Sequence, residues 1–264
     1  LHLSIRRQRQ MCIRDSNKWY KFFKYILIGP WLRIWNRPET EGLEHIPPEG
    51  KPALMVSNHQ AVMDSFYFPL VCPRQLVHPA KKEYFTSPGF VGRVQKFFFT
   101  SVGQVPIDRQ AKDAGANLLE VTQKVFDKGD LFCIYPEGTR SPDGRIYKGK
   151  TGMARVAMES GVPCIPVAMI GTRNANPIGS WIPRPVKVRV KIGEAIDPHK
   201  WARENGYDPS DSAVWRPFTD FFMERLVELS GYDYVDAYAG DVKKSLEAGN
   251  GYPEGTEPDW QNMQ

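Results

Sequence analysis

His59 and Asp64 close the run Asn58-His59-Gln60-Ala61-Val62-Met63-Asp64. A neutral imidazole near pH 7 accepts a proton from a hydroxyl, and a carboxylate on its other nitrogen fixes the tautomer and stabilises the imidazolium. The chemistry such a pair offers is activation of an alcohol as a nucleophile. On one regular helix, positions five apart diverge by about 140°. The two side chains therefore meet only if His59 lies on a turn before a helix and Asp64 in its first turns. A His and an Asp at this spacing are common by chance, and an Asp near a helix start is often only a cap. The pair gains weight from its surroundings.

Two further runs supply groups suited to an anion. Gly103-Gln104-Val105-Pro106-Ile107-Asp108-Arg109 reads as an apolar strand with Arg109 at its end. Tyr135-Pro136-Glu137-Gly138-Thr139-Arg140-Ser141 follows another apolar strand. There Gly138 lets backbone N–H groups approach an anion, Thr139 and Ser141 offer hydroxyls, and Arg140 offers a planar fork matched to phosphate. The competing reading is a turn in which Glu137 and Arg140 pair locally. A fourth run, Val162-Pro163-Cys164-Ile165-Pro166-Val167, is either a pocket wall or core.

The elements that must position these groups alternate along the chain. Pro52–Ser57 predicts a short buried strand, and Met63–Leu70 a helix, which places His59 and Asp64 on either side of a strand–helix boundary. Strands are expected at 76–79, 102–107, 131–135, 164–170 and, half-exposed by its alternation, 186–192. Helices are expected at 90–99, 111–126, 151–160 and 212–229. The order predicts an α/β fold, a mixed sheet covered by helices. Asn17–Trp35 mixes Lys18, Lys21 and Lys24 with Trp19, Tyr20, Phe22, Phe23 and Tyr25. Its longest uncharged stretch is far short of the roughly 20 residues needed to cross a bilayer. It reads as an N-terminal amphipathic helical segment on a membrane surface, over 17–38, or as a helix capping the core.

These blocks, in this order, resemble the glycerolipid acyltransferase family, whose members include 1-acylglycerol-3-phosphate acyltransferases. The resemblance runs from about Glu41 to Ile196, and NHxxxxD and PEGTRS are its most specific parts. It implies an acyltransferase domain over 39–230, with His59 as base and Asp64 orienting it. It implies that Arg109, Glu137, Gly138, Thr139 and Arg140 serve the acceptor phosphate, Glu137 by positioning the acceptor or bracing the loop. Asn58, Lys82 and Ser141 are further candidates. The implied donor is acyl-CoA or acyl-carrier protein, the implied acceptor lysophosphatidic acid, and the expected reaction direct transfer to its sn-2 hydroxyl without an acyl-enzyme. The product would be phosphatidic acid, made for phospholipid biosynthesis. Glycerol 3-phosphate or another lysophospholipid is the alternative acceptor. No cofactor and no metal is called for. Val105-Pro106 departs from the family's usual aromatic-containing step, which would reshape the pocket near the acceptor. Phe97, Phe98 and Phe99 are candidates for an acyl channel.

Composition narrows the classes. The chain has 264 residues and a formal charge of +5. The charge is uneven: residues 1–16 carry +3, 17–230 carry +7 and 231–264 carry −5. A basic body suits an anionic membrane surface or a phosphorylated substrate. Its basic residues are spread along the chain, which argues against nucleic acid. Four scattered cysteines form no CxxC pair, which argues against a disulfide framework or structural zinc and fits a reducing cytoplasm, here the cytoplasmic face of a membrane. Residues 1–16 show neither helical nor strand periodicity, and Met11–Ser16 back-translates to a transposon adapter used in sequencing libraries. They are expected to be adapter-derived, or else a disordered basic arm. The acidic segment 231–264 is expected to be a partly disordered tail. Two other classes compete: a non-catalytic lipid-binding protein and a thioesterase-like hydrolase.

Overall fold

The computed structural model of the chain describes residues 18–107, 114–180 and 182–259. Ten strands fall within them: β1 (Glu39–Glu41), β2 (Ala53–Ser57), β3 (Leu76–Val77), β4 (Pro79–Lys81), β5 (Val105–Ile107), β6 (Leu131–Ile134), β7 (Ile146–Tyr147), β8 (Cys164–Ile170), β9 (Arg189–Ile192) and β10 (Tyr234–Val235). Six form one sheet in the order β1-β9-β8-β2-β6-β3, with β8 and β9 antiparallel and the other pairs parallel. The mixed α/β sheet expected from the strand pattern is therefore present.

The central strands β2, β6 and β8 are nearly continuous apolar runs because both of their faces are covered. Alternation along β2 sends Leu54 and Val56 to one face and Met55 to the other. The first face packs against helices Gly152–Ser160 and Trp215–Ser230, through Met153, Val156, Phe218 and Phe222. The second packs against helix Asp64–Val71 through Tyr67 and Phe68, and against Leu32. Each fully buried large side chain here stabilises the fold by about 1.5–3 kcal/mol.

The N-terminal segment is helical from Lys18, opens into a π-helical turn at Phe23–Leu27, and resumes as helix Gly29–Trp35. Gly29 is required at the joint, because a Cβ there would sit 1.6 Å from the Lys24 carbonyl oxygen. Lys18 and Lys21 are exposed, as a surface helix requires, but Lys24 is not. Its ammonium turns inward and donates to the Cys72 carbonyl, and burial lowers its pKa. No helix among the described residues is long and apolar enough to cross a membrane.

The acidic C-terminal segment, expected as a partly disordered tail, carries regular structure over part of its length, while residues 260–264 lie outside the described residues. β10 pairs in parallel with β7, and helix Ala239–Glu247 buries Ala239 and Val242 against Tyr147. Further on, Arg145 donates to the Thr256 carbonyl and, at 3.2 Å, to that of Glu257. Residues 1–16 lie outside the described residues.

Candidate active site

The sheet register brings the two main motifs together. Val56 pairs with Ile134, so the chain leaves β2 and β6 at the same level. This is the carboxyl end of parallel strands, where α/β sheets place their ligands. His59 and Tyr135, just beyond the two strands, stack with ring centroids 4.0 Å apart and planes 13° apart. Glu137 Oε1 accepts the His59 backbone N–H at 3.1 Å, and the Ser141 backbone N–H donates to the His59 carbonyl at 2.8 Å. His59 is thus held by its ring and by both of its backbone polar groups.

Asp64 is the first residue of helix Asp64–Val71, where the helix dipole favours a carboxylate. Its Oδ2 lies 2.9 Å from His59 Nδ1 and also accepts the backbone N–H groups of Gln60 at 2.7 Å and Ala61 at 2.8 Å. The strand–turn–helix geometry required for the pair to meet is the one observed. With Nδ1–H donating to Asp64, the Nε2 lone pair is left to accept a proton, and among the described residues nothing bonds to it. The His59 side chain is 18% exposed and that of Asp64 fully buried.

His59 and Tyr135 line a cavity of about 410 Å³, together with Ile107, Leu118, Gly138, Lys150, Arg155 and Trp215. Behind Tyr135 lies a second, apolar crevice, lined by Tyr20, Phe23, Leu32, Phe66 and Leu70, with Ser65 and His78 at its polar edge. The Tyr135 hydroxyl meets Ser65 Oγ at 3.2 Å, so a residue lining the cavity touches one lining the crevice. Burial pushes its hydroxyl well above the usual phenol range. His78 is buried, has no hydrogen bond at Nε2 among the described residues, and burial together with the nearby His59 holds its pKa down to about 3.

The remaining expected site residues divide. Gly138 lies at the cavity wall in a left-handed conformation, φ 72°, that favours glycine. Thr139 and Arg140 are half-buried, and the Arg140 guanidinium has no hydrogen-bond or ion-pair partner among the described residues, Glu137 included. The competing reading, a local pairing of Glu137 with Arg140, is absent from those residues. Glu137 is fully buried, and burial raises its pKa well above the carboxylate range, opposed by backbone hydrogen bonds from His59 and Tyr147. Of its two expected roles, bracing the loop is the one this geometry fits.

Asn58 is buried and spends its amide on Met169, accepting the backbone N–H at 2.7 Å and donating to the carbonyl at 3.1 Å. Ser141 Oγ accepts from Gly144 N–H and faces Asp143, so it closes the loop on itself. Lys82 is exposed beside the short helix Glu83–Thr86 and does not line the cavity. Arg109 lies outside the described residues. Phe97, Phe98 and Phe99 line neither space. Phe97 meets Trp19 edge-on at 5.2 Å and Phe98 meets Phe23 at 5.3 Å, fastening the N-terminal segment to helix Gly89–Ser101. Sequence reasoning missed Tyr135 as the shelf under His59, and it missed Lys150. Two glycines bracketing a lysine just before a predicted helix, Gly149-Lys150-Thr151-Gly152, were the available signal.

A family model described as Acyltransferase matches residues 37–170, just over half of the chain. The chain belongs to the glycerolipid acyltransferase family. Among its relatives, the 1-acyl-sn-glycerol-3-phosphate acyltransferase of Limnanthes alba is 32% identical over 181 residues, covering 68% of this chain and 62% of that protein. The enzyme of the same name from Pseudomonas aeruginosa is 31% identical over 164 residues, 61% of this chain and 59% of its own. The chain thus spans about three fifths of the length of these curated acyltransferases. The crystal structure of the 1-acyl-sn-glycerophosphate (LPA) acyltransferase PlsC from Thermotoga maritima superimposes with a TM-score of 0.60 at 27% identity, over 84% of this chain and 81% of that one.

Proposed function

We propose that the protein transfers a long-chain acyl group from a thioester donor, acyl-CoA or acyl-carrier protein, to the sn-2 hydroxyl of 1-acylglycerol 3-phosphate, giving phosphatidic acid. The observation that carries this reading is the buried Asp64 holding His59 by Nδ1, with Nε2 free beside a cavity that also holds cations. The relatives named above, called lysophosphatidate acyltransferases, support the choice of acceptor.

In this mechanism His59 Nε2 takes the proton of the sn-2 hydroxyl as its oxygen attacks the thioester carbonyl. Asp64 stabilises the imidazolium that forms. The carbon–sulfur bond breaks, the ester forms, and the thiolate takes up the proton and leaves. Orientation in the cavity supplies much of the rate, since a phosphate anchor holds the hydroxyl against base and thioester. We place Arg109, Gly138, Thr139 and Arg140 in that anchor, and no cofactor or metal takes part.

We also place the enzyme on the cytoplasmic face of an anionic membrane. Support comes from the exposed Tyr25, Ile26, Leu27, Trp31, Ile34 and Trp35 beside exposed Lys18, Lys21 and Arg33. The neighbouring helix Gly89–Ser101 adds exposed Phe90, Val91, Val94 and Phe97 with Arg93 and Lys96. Three buried free cysteines agree with a reducing compartment.

The test is thiol release from oleoyl-CoA with 1-acylglycerol 3-phosphate, glycerol 3-phosphate, a neutral lysolipid or no acceptor. Release that depends on the lysophosphatidate is expected. Release that prefers another acceptor would change the substrate, and equal release without acceptor would make the protein a thioesterase.

A further inference from the structure

The cavity that holds His59 has a charge character that the motif residues do not explain. Lys150 and Arg155 line it, and no Asp or Glu does among the described residues. Arg140, the arginine expected to meet a phosphate, is not among its lining residues, whereas Lys150 is. The Lys150 main chain is fixed to the glutamate–glycine motif, because its N–H donates to the Pro136 carbonyl at 2.8 Å. Its side chain then crosses the bare face of Gly138: a Cβ built on that glycine would lie 3.3 Å from Lys150 Cε and 3.4 Å from Nζ. Arg155, five residues on, stands over the Trp215 ring at 5.5 Å, so the second cation is already engaged with an aromatic face. The Lys150 ammonium has no hydrogen-bond or ion-pair partner among the described residues, although it borders a cavity that contains the base.

We propose that Lys150 binds a substrate phosphate in the His59 cavity. The inference rests on the acyltransferase reading and assigns it a binding residue outside the four sequence motifs. An ammonium is a compact point charge with three donors, suited to a phosphate that must be held and then released. Both substrates of the proposed reaction carry such a group: the acceptor has a phosphomonoester, and an acyl-CoA has its nucleotide phosphates. The main-chain bond to Pro136 anchors the residue beside the loop that follows β6, so a phosphate held by its ammonium would bind in the same cavity as His59.

The test compares wild type with Lys150→Gln and Lys150→Arg in the full chain, with thermal melting as the check on folding. Michaelis constants are measured for 1-acylglycerol 3-phosphate, oleoyl-CoA and oleoyl-pantetheine, which lacks every phosphate. Dissociation constants for CoA and lysophosphatidate are measured by calorimetry. Losing one charge-assisted contact should raise one Michaelis constant about ten- to a hundredfold, with kcat little changed and most of the loss recovered in Lys150→Arg. A rise for the lysophosphatidate makes the acceptor the source of the phosphate. A rise for oleoyl-CoA with none for oleoyl-pantetheine makes it the donor. Unchanged constants for every substrate and ligand in Lys150→Gln would overturn the inference and leave the proposed activity standing. Wild type that binds a ligand without turnover would overturn the activity, and the dissociation constants would still decide the role of Lys150.

Discussion

One oxygen of Asp64 collects three hydrogen bonds, from the His59 ring and from two backbone amides, while the other, Oδ1, has none among the described residues. The backbone amides of Gln60 and Ala61 therefore orient the carboxylate before the imidazole is considered, and the His59 tautomer follows from it. The spacing of His59 and Asp64 announced this arrangement, because only a turn-then-helix path lets the two meet. The inward fate of Glu137 was not legible: a buried brace and an exposed ligand look alike in a sequence. Neither was His78, which is held to about 3 by burial and by His59 from an ordinary value of 6.5. Between those two pH values the unfolded chain binds a proton at this position that the folded chain refuses. Stability is thus fully present above pH 6.5 and falls as pH drops towards 3. The slope can reach about 1.4 kcal/mol per pH unit. Melting temperatures measured across this window should fall more shallowly in His78→Leu than in wild type. Parallel slopes would show that His78 is not the group responsible.

Among the elements, the sheet was read well and the small pieces were not. β2, β6 and β8 are apolar runs of four to seven residues, and such runs declare themselves. β1, β7 and β10 are two or three residues long, too short for any periodicity. The C-terminal segment looked like a loose acidic tail because its charge dominates its composition. Its apolar residues are few but fall on one side, where Val235, Ala239 and Val242 cover Tyr147. Arg145 joins this segment to the motif loop, since it also pairs with Asp143 at 2.7 Å. Burial alone would raise the Asp143 pKa, but the hydrogen bonds from Arg145 and Tyr147 outweigh it and hold the carboxyl below its usual range. Arg145→Ala leaves a buried carboxylate unpaired and should cost about 3 kcal/mol of stability. Hydrogen exchange over 234–247 should rise with it. Unchanged protection there would mean that β7 pairing holds the segment without the arginine.

For the whole molecule, many of the exposed aromatic and aliphatic residues fall in the segments 25–35 and Gly89–Ser101, and the N-terminal helix meets the second of these through the Trp19–Phe97 contact. A monomeric surface seldom leaves so many large apolar groups together without a use. The apolar crevice against the N-terminal segment is lined by Ser65, whose hydroxyl meets that of Tyr135 in the His59 cavity. Trp31→Ser with Ile34→Ser should weaken sedimentation with vesicles of phosphatidylglycerol and phosphatidylcholine by about tenfold or more, with thermal stability close to wild type. Equal binding by the double variant would remove this face from the membrane. The most direct test lies at the base itself: the rate of lysophosphatidate-dependent thiol release by folded His59→Ala. Loss of a general base predicts a fall of about 10²–10⁴-fold with the wild-type melting temperature retained. Turnover close to that of wild type would contradict the assignment of His59 as the base.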